Sequence, residues 1–218
     1  MYNIVPMISI LLPIYNGIEF IQESVDSVIN QEFKEWELLI GVNGHEKDSE
    51  VYKVSKMYES DKIRVFDFHE IKGKANTLNE MIKHCNYSYV ALLDVDDIWN
   101  NDKLRKQCVY LNIYDVIGSQ CVYIGNMEGV VPKIPLGDIS MFDFKTVNPV
   151  INSSSLIRKT LCHWNENGIE DYDLWLRLRS QNKRFYNVPE ILVKHRIHQQ
   201  SAFNSKGHSE KVGELLSK

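Results

Sequence analysis

Two groups of acidic side chains carry the clearest chemical signal in the sequence, Asp94-Val95-Asp96-Asp97 and Glu170-Asp171. The first follows an apolar run at residues 89–93, so it closes a buried strand. In an extended chain residues i and i+2 point to the same side, which predicts that Asp94 and Asp96 converge while Val95 faces away. Such carboxylates repel unless a cation or a proton relieves them. A hard divalent ion, Mg2+ or Mn2+ rather than zinc, resolves the repulsion and also binds diphosphate oxygens. The same residues also suit a polar turn leading into a helix, where Asp is favoured. Glu170-Asp171 opens a stretch of helical periodicity, and the helix dipole favours carboxylates there whatever the function.

The elements that position these groups alternate in period. Residues 7–12 form a nearly continuous apolar run, the pattern of a strand covered on both faces. Ile18, Ile21, Val25, Val28 and Ile29 then fall on one helical stripe. Strands at 36–42, 63–68 and 89–93 follow, separated by helices at 48–58 and 76–84. This alternation predicts βαβ units and an α/β fold with a mostly parallel central sheet flanked by helices. In such sheets ligands sit beyond the carboxyl ends of the strands, where Tyr15, Asn43 and Asp94 to Asp97 all lie. The second half is less regular. Strands are expected at 116–124, 153–157, 185–188 and 191–197, a loop at 125–143, a helix at 170–180 and a short amphipathic helix from Ser209.

Composition removes several function classes. The 218 residues carry a net charge of −4 and a pI near 6.0, so no basic field points to nucleic acid. No apolar run approaches the roughly 18 residues that span a bilayer, and the first six residues lack the pattern of a signal peptide. Cys85, Cys108, Cys121 and Cys162 are widely spread and form no CxxC pair, which favours a reducing, cytoplasmic setting over a zinc site or disulfide framework. Without a secretory signal, the sequons at Asn86 and Asn152 read as chance.

The ordered motifs resemble the family 2 glycosyltransferases, which have the GT-A fold. Residues 8–16 (ISILLPIYN) are similar to that family's opening strand, and 27–31 to the end of its first helix. Residues 92–104 resemble its metal-binding signature, and 170–178 (EDYDLWLRL) its acceptor-side helix. The match spans roughly residues 7–201. It implies one GT-A domain over 1–218, with about 1–99 as the nucleotide-sugar half and about 100–218 as the acceptor side.

The resemblance implies site residues in turn. Pro13 and Tyr15 line the nucleoside pocket, and Asn43 stands where the family usually has Asp, keeping the capacity to donate and accept. Gly73-Lys74 resembles the segment that approaches the base and phosphates, although alone it is equally a solvated turn. Asp94 lies near the ribose or sugar, and Asp96 binds Mn2+ or Mg2+. Asp171 is the general base, with Glu170 in reserve, for a direct displacement that inverts the anomeric carbon. Arg196 and His198 resemble the late Arg-x-His segment in 194–201, where His198 either completes the metal shell with Asp94 and Asp96, contacts the diphosphate or is structural. Trp99, Trp164 and Trp175 fit core packing better than sugar stacking.

The implied donor is a nucleotide diphosphate sugar, most simply a UDP-sugar, and the implied acceptor a glycan, a lipid-linked sugar or a protein. Contact with a membrane surface stays open. A non-catalytic nucleotide-sugar-binding module and a sugar nucleotidyltransferase are the competing readings. The second lacks the Gly-rich basic loop it would need after the first strand.

Overall fold

A computed structural model describes residues 7–166, 169–199 and 208–217. In chain order it holds β1 (Ile8–Ile14), α1 (Ile21–Ile29), β2 (Trp36–Asn43), α2 (Glu50–Lys56), β3 (Ile63–Phe68), α3 (Lys74–Met81) and β4 (Tyr89–Leu92). The second half adds β5 (Ile98–Trp99), α4 (Lys103–Cys108), β6 (Val116–Gly125), β7 (Gly137–Asp138), β8 (Leu156–Arg158), α5 (Glu170–Ser180), β9 (Phe185–Ile197) and α6 (His208–Leu216).

All but β7 line up as β3-β2-β1-β4-β8-β6-β9-β5, with β7 added on β9. Strands β1 to β4 pair in parallel, as their helical crossovers require. Beyond β4 the sheet is mixed, because β8 runs antiparallel to both β4 and β6 while β6 and β9 run parallel. The parallel order is uninterrupted in the first half of the chain, and the second half combines one long parallel pair, β6 with β9, with antiparallel ones.

The continuous apolar strands are explained by burial on both faces. Ile8, Ile10, Leu12 and Ile14 enter one core with Val25 and Val28 of α1. Leu11 and Leu39 enter the other, against Leu78 of α3 and Leu174, Trp175 and Leu178 of α5. Each such side chain contributes about 1.5–3 kcal/mol by leaving water. Trp99, Trp164 and Trp175 are buried to within a few per cent, as core packing predicts.

Two expected boundaries move. The strand expected from Ser153 starts at Leu156, because Asn152–Ser154 form a 3-10 turn in which the Ser154 and Ser155 hydroxyls donate to the Ile151 and Asn152 carbonyls. The two strands expected at 185–188 and 191–197 are one strand, β9. Its pairing with β6 shifts between Ser119↔Val188 and Gln120↔Ile191, which carries Pro189 past the ladder without an N–H.

A fully buried lysine holds α4 to the sheet. Lys103 Nζ lies 3.9 Å from the centre of the Trp99 ring and donates to Gln107 Oε1 at 2.7 Å. Gln107 in turn donates to the carbonyls of Ile117 and Ser154. Burial pushes the Lys103 ammonium well below the usual lysine range, with only Cys108 acting the other way. The folded chain then binds fewer protons here than the unfolded chain, so this group favours folding increasingly as pH rises toward about 10.4. Denaturant unfolding is expected to show wild type gaining on Lys103→Met between pH 7 and pH 9.5, by up to about 1.4 kcal/mol per pH unit. A pH-independent difference contradicts the desolvated lysine.

Candidate active site

A cleft of about 1150 Å³ opens at the carboxyl ends of β1, β2 and β4. At one end Tyr15, half exposed, follows β1, and its carbonyl lies 2.5 Å from His45 Nε2. The Tyr15 ring lies so close over Gly44 that a Cβ there would sit 3.1 Å from it, and Gly44 has φ +72°. Glycine suits this conformation, and any larger residue would also need the Tyr15 ring to give by a few tenths of an ångström. Pro13 and Asn43 border the same end, with Asn43 buried at the close of β2.

The acidic segment is not extended. Strand β4 stops at Leu92, and Asp97 N donates to the Asp94 carbonyl at 3.0 Å, closing a turn over residues 94–97. The strand alternation expected for Asp94 and Asp96 is replaced by this turn, and Val95, expected to face away, is buried but borders the same cleft. Asp94 N is fixed by Ser153 Oγ at 3.0 Å, and Arg196 Nε holds the Asp96 carbonyl at 2.9 Å. The three carboxylates are then dealt to different partners.

Asp94 pairs with Lys74, the first residue of α3, and accepts from Asn152 Nδ2 at 3.0 Å. Burial alone would raise the Asp94 carboxyl, but the Lys74 ammonium and Asn152 hold it below its usual value. Burial likewise works against the charge on Lys74, and the fields of Asp94, Glu170 and Asp171 overcome it. Lys74 therefore stays cationic between the two acidic groups.

Asp97 is fully buried and accepts from Arg196 N at 2.8 Å, with His195 Nδ1 at 2.9 Å. It supports the turn from behind and caps no helix. Asp96 faces His198, with Nε2 2.9 Å from Oδ2. Burial and the neighbouring Asp97 and Asp94 raise the Asp96 carboxyl. Of the three, Asp96 is the one whose negative charge is under-compensated.

The expected metal trio is thus split. Among the described residues no three His, Cys, Asp or Glu side chains form a ready-made metal cage, since Asp94 is engaged by Lys74 and Asn152. Asp96 and His198 remain as a carboxylate and an imidazole on one spot, which suits a divalent ion that takes its other ligands from diphosphate and water. Arg196 and His198 converge on Asp96, with Phe20 beside both. Gln200 and Ser201 of the same motif lie outside the described residues.

Glu170 and Asp171 open α5 and line the same cleft. Asp171 Oδ2 accepts from Asn148 Nδ2 at 3.1 Å. Helix α5 fixes that loop through Tyr172 Oη to the Phe144 carbonyl and Trp175 Nε1 to the Val150 carbonyl. Asn152, Asn148 and His195 escaped the sequence reading as site residues. Asn152 was visible only as part of a sequon, and the other two lie in stretches whose neighbours are set by long-range packing.

The sequence profile of Glycosyl transferase family 2 matches residues 9–160. The chain belongs to that family. The glycosyltransferase is 27% identical to the O-antigen biosynthesis glycosyltransferase WbnJ of Escherichia coli, over 93% of this chain and 84% of WbnJ. It is 28% identical to UDP-Glc:alpha-D-GlcNAc-diphosphoundecaprenol beta-1,3-glucosyltransferase WfgD of Escherichia coli, over 92% of this chain and 81% of WfgD. Its fold matches S. aureus TarS in complex with UDP-GlcNAc with a TM-score of 0.77 at 17% identity, over 96% of this chain and 64% of that one. A mannosyltransferase from Pyrobaculum calidifontis, in complex with GDP-Man and Mn2+, matches with a TM-score of 0.68 at 14% identity, over 92% of this chain and 59% of that one. The glycosyltransferase therefore has the GT-A fold and spans less than two thirds of these two solved chains.

The Asp97–His195 pair makes a pH prediction. Burial disfavours the His195 charge, but Asp97 raises its pKa to about 9, against about 6.5 in an unfolded chain. The stability this pair supplies is full below about pH 6.5 and is lost as pH rises through about 9. Urea titrations are expected to show that His195→Gln loses on the order of 3 kcal/mol near pH 6 and almost nothing near pH 10. Equal losses at both values contradict the charged pair.

Proposed function

We propose that this glycosyltransferase transfers a sugar from a nucleoside diphosphate, a UDP-sugar in the first instance, to an acceptor hydroxyl with inversion and with the help of Mn2+ or Mg2+. The observation that supports it best is that Asp96, His198, Lys74 and Asp171 line one cleft, with Lys74 held protonated by the fields of Asp94, Glu170 and Asp171. The nucleoside lies against Tyr15, with Pro13 and Asn43 about its base and Asp94 toward the ribose or sugar.

Asp96 and His198 would hold the cation, which would supply positive charge to the departing diphosphate. Lys74, kept protonated by its carboxylate neighbours, adds a fixed charge from the α3 side. Asp171 takes the proton of the acceptor hydroxyl as that oxygen bonds to the anomeric carbon and the bond to the diphosphate oxygen breaks. Asn148 occupies Oδ2 of Asp171, leaving Oδ1 to receive the proton. One displacement from the opposite face inverts the centre. Glu170, beside Asp171, is the alternative base. Acceptors on a glycan, a lipid carrier or a protein all suit this chemistry, and the relative WfgD is named for a lipid diphosphate acceptor.

A screen of nucleotide sugars is expected to find one whose hydrolysis depends on Mn2+ or Mg2+ and disappears in Asp96→Ala. With a matched acceptor, Asp171→Asn is expected to keep donor binding and lose transfer by about a hundredfold or more, the usual scale of a general base. Near wild-type transfer by that variant assigns the base elsewhere.

A further inference from the structure

A fixed cation of the chain stands beside the carboxyl that burial and its acidic neighbours raise. Arg196 Nε donates to the Asp96 carbonyl at 2.9 Å, so the guanidinium already touches the residue whose charge is under-compensated. An arginine turned from that carbonyl to the carboxylate would neutralise Asp96 and take the place of a divalent ion. The groups that direct the guanidinium elsewhere come from the first helical segment of the chain.

Two side chains there engage it. Arg196 Nη2 donates to Glu23 Oε2 at 3.0 Å, from a residue 173 positions later in the sequence. The guanidinium also lies 4.5 Å from the centre of the Phe20 ring, and the same ring is 5.7 Å from that of His198. Phe20 is placed by the turn before α1, in which its amide donates to the Gly17 carbonyl at 2.9 Å. Gly17, at φ +89°, lies so close to Val95 that a Cβ there would sit 3.0 Å from Val95 Cγ1. One short segment thus packs on the acidic turn and on the end of β9 together. Neither Phe20 nor Glu23 lines the cleft, so an effect on the donor passes through Arg196 and His198.

A carboxylate in the first turn of a helix is favoured by the dipole, but the dipole selects no partner. Glu23 is more than half exposed, and such a pair alone adds little stability. What it supplies is direction. The planar guanidinium stacks on the aromatic face while its two edges are claimed by Glu23 and by the Asp96 carbonyl.

We propose that Glu23 and Phe20 are positioning residues of the cation site, holding Arg196 on the carbonyl of Asp96 and off its carboxylate, so that the carboxylate is kept for a divalent ion. The proposal rests on the reading in which Asp96 and His198 hold Mn2+ or Mg2+, and adds what protects that site from the chain's own arginine.

Calorimetry of UDP with and without Mn2+ tests it without turnover. Wild type is expected to bind UDP about tenfold tighter or better with Mn2+, the scale on which residues supporting metal ligands act. Glu23→Lys, which repels the guanidinium from an exposed position and leaves the core untouched, should cut that gain to about threefold or less. Adding Arg196→Gln to Glu23→Lys should bring it back to about fivefold or more, because the competing charge is gone. Phe20→Leu, which keeps bulk without the ring, should lower the gain in the same direction and recover with Arg196→Gln as well. Residues that only support the fold would show no such recovery. Unchanged Mn2+ dependence in Glu23→Lys, or no recovery on removal of the Arg196 charge, overturns the proposal and leaves the cation reading standing. No Mn2+ dependence in wild type overturns the cation reading, and this proposal with it.

Discussion

Carboxylates gathered at the end of a buried sheet repel one another, and the surroundings of Asp94, Asp96 and Asp97 answer that repulsion one residue at a time. Asp97 is neutralised by His195 and a backbone amide, Asp94 by Lys74 and Asn152. Asp96 has His198 but also two acidic neighbours, and its carboxyl is raised rather than lowered. The imbalance is local and leaves one place where added positive charge is favoured. The turn over residues 94–97 produces this division, because it directs neighbouring side chains to different partners where an extended strand would stack two of them.

Much of the fold exists to hold that turn. Ser153 fixes its first amide and Arg196 its third carbonyl, so two distant segments of the second half of the chain meet on four residues of the first half. Behind Ser153 stands the polar core of Gln107, Lys103 and Trp99, in which Trp99 Nε1 donates to the Ser153 carbonyl. A buried lysine is costly to hold there, but the network it joins ties α4, β6 and the 3-10 turn together. Substitutions in this network should reach the site through geometry rather than charge.

The first half of the chain was legible because its strands are buried on both faces and its helices on one. Those two patterns leave periods that can be read, as in Ile8 to Ile14 against Ile21 to Ile29. Helix α5 was legible for the same reason. The register shift at Pro189 was not, since a bulge is fixed by the partner strand and Pro alone suggests a break. Tyr15, Asn43, Asp94 and Asp96 could be named because strand ends are where such sheets bind ligands, and Lys74 through the family resemblance. Asn148 could not. It lies on a segment without periodicity that α5 holds across a stretch of chain.

The under-compensated charge at Asp96 is the claim on which the functional account stands, and a binding titration addresses it without needing the acceptor or the donor sugar. Calorimetry of UDP with wild type and Asp96→Asn, each with and without Mn2+, measures the coupling directly. The account predicts that Mn2+ tightens UDP binding at least tenfold in wild type and by less than twofold in Asp96→Asn. Equal Mn2+ dependence in the two proteins would contradict it.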